Sequence, residues 1–320
     1  MTELRSSDLQ LSDLQLSDFQ LSLHGLWLPL VTPFFDGELD EISLRRMVRH
    51  YMTLPVNGLI LAATTGEGLT LEPEEAARLT MTVRDEVSRA GDLPICLGLS
   101  GSNTRALLQT LERTAAWPID GYLISCPYYS RPSQHGMTAH FTALADRASH
   151  PVMIYNIPYR TGVNLGNDAM LRLAGHPNIA GLKDCSADRK QSLDLLRRRP
   201  AGFAVLTGED AQYHEALADG ADGGILASAH VETATFAQVW QMLAAGRSDD
   251  ALSRWQSVAE LARLLFAEPS PAPIKHWLWR TGLIRSAEVR LPMTEVSAEL
   301  AARLDLEIER RGLPSLQMTL

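Results

Sequence analysis

Between residues 26 and 230, short apolar runs alternate with segments whose apolar positions recur at helical spacing. The runs fall at 26–31, 58–63, 95–99, 122–125, 152–155, 180–182, 204–206 and 224–227, and each ends on small or polar residues. A brief, uninterrupted apolar run is the signature of a strand buried on both faces. Helical stripes stand between the runs: Met47, Val48, Tyr51 and Met52 within 42–52, then Leu107, Leu108, Leu111 and Ala115, then Phe141 with Leu144. The segment 72–89 opens with Pro73, which the first turn of a helix tolerates, and stops before Gly91.

Eight strand-then-helix units of roughly 25–30 residues predict an α/β fold, the (β/α)8 or TIM barrel, which takes about 250 residues. A doubly wound open sheet shares the alternation but usually carries fewer strands and often a Gly-rich dinucleotide turn. No GxGxxG follows the first run here. Beyond residue 231 the chain reads as helical, with Phe236, Val239, Trp240 and Leu243 on one face, followed by 252–266 and 274–279. The expected organisation is an extension over 1–24, a barrel over 25–230, and a C-terminal helical appendage over 231–320 packed on the barrel. The extension repeats SDLQL, SDLQL, SDFQL over residues 7–21. Period five matches neither helix nor strand, and three units are too few to stack into a solenoid. It is expected to be loosely ordered or packed on the surface, without a function of its own.

Composition narrows the function classes. A net charge of −9 argues against nucleic acid, whose binding rests on a basic surface. No stretch approaches the roughly 20 apolar residues that cross a bilayer, and the N-terminus lacks the pattern of a secretory signal. Cys96, Cys126 and Cys185 are too few and scattered for a disulfide framework or a zinc site, so a cytoplasmic location is expected. The nine histidines are dispersed without ligand spacing, and neither a metal nor an organic cofactor is indicated. Lysine is scarce: Lys183, Lys190 and Lys275 stand against 26 arginines.

In a barrel of this kind the chemistry sits at the C-terminal ends of the strands. Those positions carry Thr64-Thr65-Gly66-Glu67, Pro127-Tyr128-Tyr129, Tyr155-Asn156, Lys183-Asp184, Gly208-Glu209-Asp210 and Ser228. Lys183 is the one lysine at a strand end, pointing inward if Gly181 and Cys185 share its parity. Desolvation in such a cavity frees a lysine amine to attack a carbonyl carbon, although a lysine there also serves as a phosphate clamp or an ion-pair partner. Lys190 and Lys275 fall in helical stretches and read as surface or packing residues. Tyr155 is one strand away from Lys183, and Thr64 and Thr65 offer hydroxyls and, through Gly66, backbone N–H groups for a small carboxylate. Each tyrosine taken singly reads equally well as a core aromatic with a satisfied hydroxyl.

With these residues in place, the chain from 25 to 313 resembles the dihydrodipicolinate synthase/N-acetylneuraminate lyase superfamily of pyruvate-dependent class I aldolase-type barrels. The segments that carry the resemblance are LVTPF (30–34), ATTGEGLTL (63–71), CPYYSRPSQHG (126–136), YNIPYRTG (155–162), GLKD (181–184), TGED (207–210), EPSPAPIKHWL (268–278) and RLPMT (290–294). The resemblance implies that Lys183 forms an imine with pyruvate, that Tyr155 is the general acid/base, and that Thr65 relays protons between it and Tyr129. It implies that Tyr129 is inserted into the site of a neighbouring subunit, so that the protein is a homo-oligomer, a tight dimer often doubled to a tetramer. The backbone around Thr64 and Thr65 would hold the pyruvate carboxylate, and Ile225 aligns with the position whose carbonyl faces the catalytic tyrosine.

Arg160, five residues after Tyr155, matches the arginine that in the synthase branch binds the carboxylate of aspartate semialdehyde, and neuraminate lyases generally lack it. The resemblance thus favours condensation of pyruvate with L-aspartate 4-semialdehyde to 4-hydroxy-tetrahydrodipicolinate, in lysine and diaminopimelate biosynthesis. Arg160 read alone is also a candidate for a structural salt bridge. Tyr159 stands where a small residue is usual, Asp184-Cys185-Ser186-Ala187 replaces the common loop after the lysine, His230 replaces a common asparagine, and Ala63 replaces a glycine. Tyr159 and the altered loop keep a second reading open, a related pyruvate-dependent aldolase or dehydratase acting on another 2-oxo acid. A catalytically silent paralogue is the third, opposed by the complete Lys-Tyr-Thr set. Pro73, Ala76 and Leu107 occupy the places of the polar groups that bind lysine in feedback-sensitive synthases, so no inhibition by lysine is expected.

Overall fold

The computed structural model describes residues 21–313. Eight parallel strands close into a barrel: β1 (Gly25–Pro29), β2 (Gly58–Leu61), β3 (Ile95–Leu99), β4 (Gly121–Ser125), β5 (Val152–Asn156), β6 (Ile179–Asp184), β7 (Ala204–Thr207) and β8 (Gly223–Ile225). Each strand pairs with its sequence neighbours, and β8 returns to β1 through Trp27 and Ile225. The sheet therefore has no open edge.

The strands end where the backbone turns. The apolar run 58–63 is a strand only to Leu61, because Ala62 takes a left-handed φ of 52°. The run 224–227 stops at Ile225, where the chain enters a tight helical turn over Ser228–His230. Period-two alternation divides the strand residues into two shells. Trp27, Ile60, Cys96, Leu123, Met153 and Leu206 fill the barrel interior. Their neighbours Leu26, Leu28, Leu59, Leu61, Ile95 and Ile154 face the helices. Trp27 is fully buried, and its truncation to alanine removes about 3–5 kcal/mol.

The N-terminal mouth is closed by Leu21 and Leu23, both buried in the inner cluster. Leu21 is the last residue of the third repeat, and the rest of the repeats lies outside the described residues. The helices form where their caps and stripes place them. Asp40 caps Glu41–Met52 by accepting the Ser43 N–H at 3.1 Å, and Glu72 with Glu75 forms a reciprocal capping box at the start of Pro73–Ala90. The helical C-terminal region starts with Thr233–Ala244, which packs on β1, and continues through Ser248–Gln256, Ala259–Leu264, Ala272–Arg280 and Ala298–Arg310.

Candidate active site

Lys183 is the fifth residue of β6, paired in register with Tyr155 on β5. The parity expected of it holds, since Cys185 packs in the interior cluster. Its side chain is buried, and Nζ lies 4.4 Å from the centroid of the Tyr155 ring. Burial pulls the ammonium below the ordinary lysine range, against the pull of Cys185, Asp210 and Glu209, which raise it. Burial likewise pushes the Tyr155 hydroxyl well above its usual value, with Cys185 adding to the effect. The tyrosine is therefore proton-loaded, and the lysine gives up its proton more readily than a free one.

Gly208, in the turn after β7, makes room for Lys183 and Cys185. A Cβ at that position would stand 2.4 Å from Lys183 Cε and 2.4 Å from Cys185 Sγ. Glu209 follows, half-buried, and its Oε1 is enclosed without a hydrogen-bond partner among the described residues. Burial raises its carboxyl, while the Tyr159 hydroxyl and Cys185 thiol draw it back down. Asp210 is buried as well, and accepts from the Ser228 N–H at 2.7 Å and from the Ser228 hydroxyl.

On the β2 side, the loop after Leu61 carries Thr64, exposed, and Thr65, buried. The Glu67 N–H closes onto Thr64 O at 3.1 Å, the Gly68 N–H onto Ala63 O at 3.1 Å, and the Thr32 hydroxyl donates to Gly66 O at 2.7 Å. Ala62 and Glu67, at either end of this loop, both hold φ near 52°. A non-glycine residue in that region costs roughly 1–2 kcal/mol, so the surroundings must fix it. Gly68 is glycine of necessity, since a Cβ would stand 1.7 Å from Ala62 O.

Tyr129 stands apart. It is 93% exposed, holds φ at 67°, and its N–H donates to Thr161 O at 3.2 Å. Arg160 is exposed in the short helix Pro158–Thr161, with its guanidinium carbon 5.8 Å from the Tyr159 ring centroid. Among the described residues it makes no ion pair with a carboxylate, so the structural salt bridge considered for it is not formed. Ile225 ends β8 buried in the inner cluster. The barrel thus gathers Lys183, Tyr155, Cys185, Glu209 and Asp210, with Thr65 buried on the β2 loop and Tyr129 projecting outward.

The family model described as the dihydrodipicolinate synthetase family matches residues 22–310. The chain belongs to this family. It is 41% identical over 285 residues to 4-hydroxy-tetrahydrodipicolinate synthase 2 of Clostridium acetobutylicum, covering 88% of this chain and 98% of that protein. Among solved structures, the dihydrodipicolinate synthase of Aquifex aeolicus superposes with a TM-score of 0.88 at 28% identity, over 92% of this chain and 100% of that one. The pyruvate complex of the chloride-inhibited enzyme from Acinetobacter baumannii gives a TM-score of 0.87 at 30% identity, over 91% and 100% of the two chains.

Against the family frame, several strand-end polar residues turn out to be scaffold. Asn156 accepts from the Leu165 N–H at 3.1 Å and donates to Asn164 at 2.8 Å, while Asp184 accepts from Ser192 at 2.5 Å. Lys275 departs from the surface or packing role that its helix suggested: it is fully buried in an ion pair with Glu67. Sequence reading also gave no partner for Glu209, which meets Tyr159 and Cys185 from two other loops. A cavity of about 410 Å3 opens beside Thr64, lined by Leu69, Pro73, Ala76, Leu107 and Arg160 among others, and Lys183 is not on its wall. Among the described residues no group of three His, Cys, Asp or Glu side chains could hold a metal, and no helix is long and apolar enough to cross a membrane.

Proposed function

We propose that the chain condenses pyruvate with L-aspartate 4-semialdehyde to 4-hydroxy-tetrahydrodipicolinate through an imine on Lys183. The observation that carries the proposal is the buried Lys183 amine against Tyr155, held at the end of a strand in a closed barrel. Nζ adds to C2 of pyruvate, and loss of water leaves the imine. The imine draws electrons from C3, a C3 proton leaves, and the resulting enamine carbon attacks the aldehyde. The amino group of the second substrate then adds to C2 and displaces Lys183, closing the ring and returning the free enzyme. The covalent pyruvate imine is the only prosthetic step, so the reaction calls for no cofactor.

Tyr155 is the proton donor and acceptor at the carbinolamine and at the aldehyde oxygen, with Thr65 passing protons onward. The backbone around Thr64 and Thr65 takes the pyruvate carboxylate, and the Ile225 carbonyl faces the tyrosine from β8. Arg160, unpaired by any carboxylate among the described residues, is left to hold the carboxylate of the semialdehyde with a charge-assisted contact. Tyr129 reaches the site of a second copy rather than its own, which its exposure and outward turn support. The working form is accordingly a homo-oligomer in the cytoplasm, dimers pairing into a tetramer.

Pyruvate consumption by the purified protein tests the substrate assignment, with aspartate semialdehyde set against N-acetylmannosamine and other aldehydes. Selective turnover of aspartate semialdehyde is the expected result. Turnover of another aldehyde alone would keep the lysine chemistry and move the chain to the second reading, which Tyr159 and the changed loop after Lys183 favour.

A further inference from the structure

Glu67, two residues beyond Thr65, enters the core, where it is 4% exposed. There its Oε1 accepts from Lys275 Nζ, and its Oε2 accepts from the Arg290 N–H at 2.8 Å. Lys275, 0% exposed on helix Ala272–Arg280, also donates to Glu288 O at 2.8 Å and stands 4.3 Å from the Phe34 ring centroid. Arg290 lies over the same ring at 4.1 Å, and its guanidinium grips both Glu75 oxygens, Thr70 O and Gly37 O. Every oxygen of Glu67 is used, and four separate segments converge on one strained loop.

A buried ion pair is a poor device for stability alone, because apolar residues of similar volume usually serve as well or better. What it supplies is a fixed geometry, since each charge must keep its partner. The place where that geometry arrives is two residues from Thr65, at a backbone position that surroundings must hold in the left-handed region. We propose that Lys275 and Glu67 are positioning residues for the pyruvate subsite. Through Glu67 the C-terminal helices fix where Thr64 and Thr65 present their hydroxyls and backbone N–H groups to the carboxylate. This inference rests on the assignment of Lys183 and the threonine loop made above.

The test is the rate at which pyruvate becomes trapped on the full-length protein by borohydride, followed by intact mass, together with the KM for pyruvate and the thermal midpoint. Glu67→Gln and Lys275→Met, assayed well below their midpoints, are expected to trap at least tenfold more slowly than wild type and to raise KM. The double variant Glu67→Gln/Lys275→Met is expected to be no slower than the worse single one, the mark of two residues acting as one. A lowered midpoint with wild-type trapping rate and KM would overturn the proposal and leave the pair a core element only. If the singles do not fold, the double variant decides by the same readout. Absence of any adduct on wild type would instead refute the Lys183 assignment, a separate outcome.

Discussion

Lys183 is useful because its surroundings make its charge costly. Burial lowers the amine and raises Tyr155, so the pair is biased toward the protonation states that the proposed imine chemistry calls for. The geometry depends on an absent atom. Gly208→Ala places a methyl against Lys183 Cε and Cys185 Sγ, and kcat is expected to fall by about 100-fold, as for a misplacement of roughly 1 Å. Steady-state kinetics on the folded variant checks this, and an unchanged kcat would mean that the lysine is free to move. Arg160→Ala is expected to raise the KM for aspartate semialdehyde by about 10–100-fold, equal to losing one charge-assisted contact, while pyruvate trapping stays as in wild type. Lys183 was legible in the sequence because it is the one lysine at a strand end. Cys185 and Glu209 could be set near it by parity and strand end, but their contacts with each other and with Tyr159 could not, since these depend on loop paths after β5, β6 and β7 that no local pattern encodes.

The elements are joined by charges whose pH behaviour differs. Glu86, buried on Pro73–Ala90, takes Arg49 at 2.6 Å and Arg45 at 2.9 Å from the neighbouring helix Glu41–Met52. Arg49 above all holds its carboxyl down to about 2, from 4.5. A lowered acid stabilises the folded state above its unfolded value and loses that contribution as pH falls from 4.5 through about 2. Glu86→Gln is therefore expected to flatten the drop in thermal midpoint across that window. His230 works in a higher window. Its Nδ1 donates to Ala227 O at 2.8 Å and its Nε2 accepts from the Val31 N–H at 3.3 Å, so the neutral ring is the one that fits. Burial lowers it from 6.5 to about 4, and stability is lost as pH falls between those values. His230→Asn is expected to remove that loss, measured as thermal midpoint against pH. The strands themselves were legible because burial on both faces writes an unbroken apolar run. Their ends were less so, because the run 58–63 continues apolar past the point where Ala62 reverses the backbone.

Over the whole molecule, long-range pairing is what the sequence concealed. Glu67 and Lys275 are separated by 208 positions, and a lysine in an amphipathic helix carries no local sign that it faces inward toward a carboxylate. The cavity beside Thr64 shows a second global property. Among the described residues Glu67 is the one carboxylate on its wall, and it is already taken by Lys275, while Arg113 and Arg160 add positive charge. A bound lysine would leave its ammonium without a partner, so millimolar L-lysine is expected to leave the rate unchanged. Strong inhibition would contradict that reading. Assembly is testable by complementation: Lys183→Ala and Tyr129→Phe, each inactive alone, are expected to recover activity when mixed and allowed to exchange subunits. The most direct measurement uses the scarcity of lysine itself. Wild type is treated with pyruvate and borohydride, digested, and the modified peptide identified by mass. A single adduct on Lys183, absent from Lys183→Ala, is the result expected; an adduct on Lys190 or Lys275, or none at all, would contradict it.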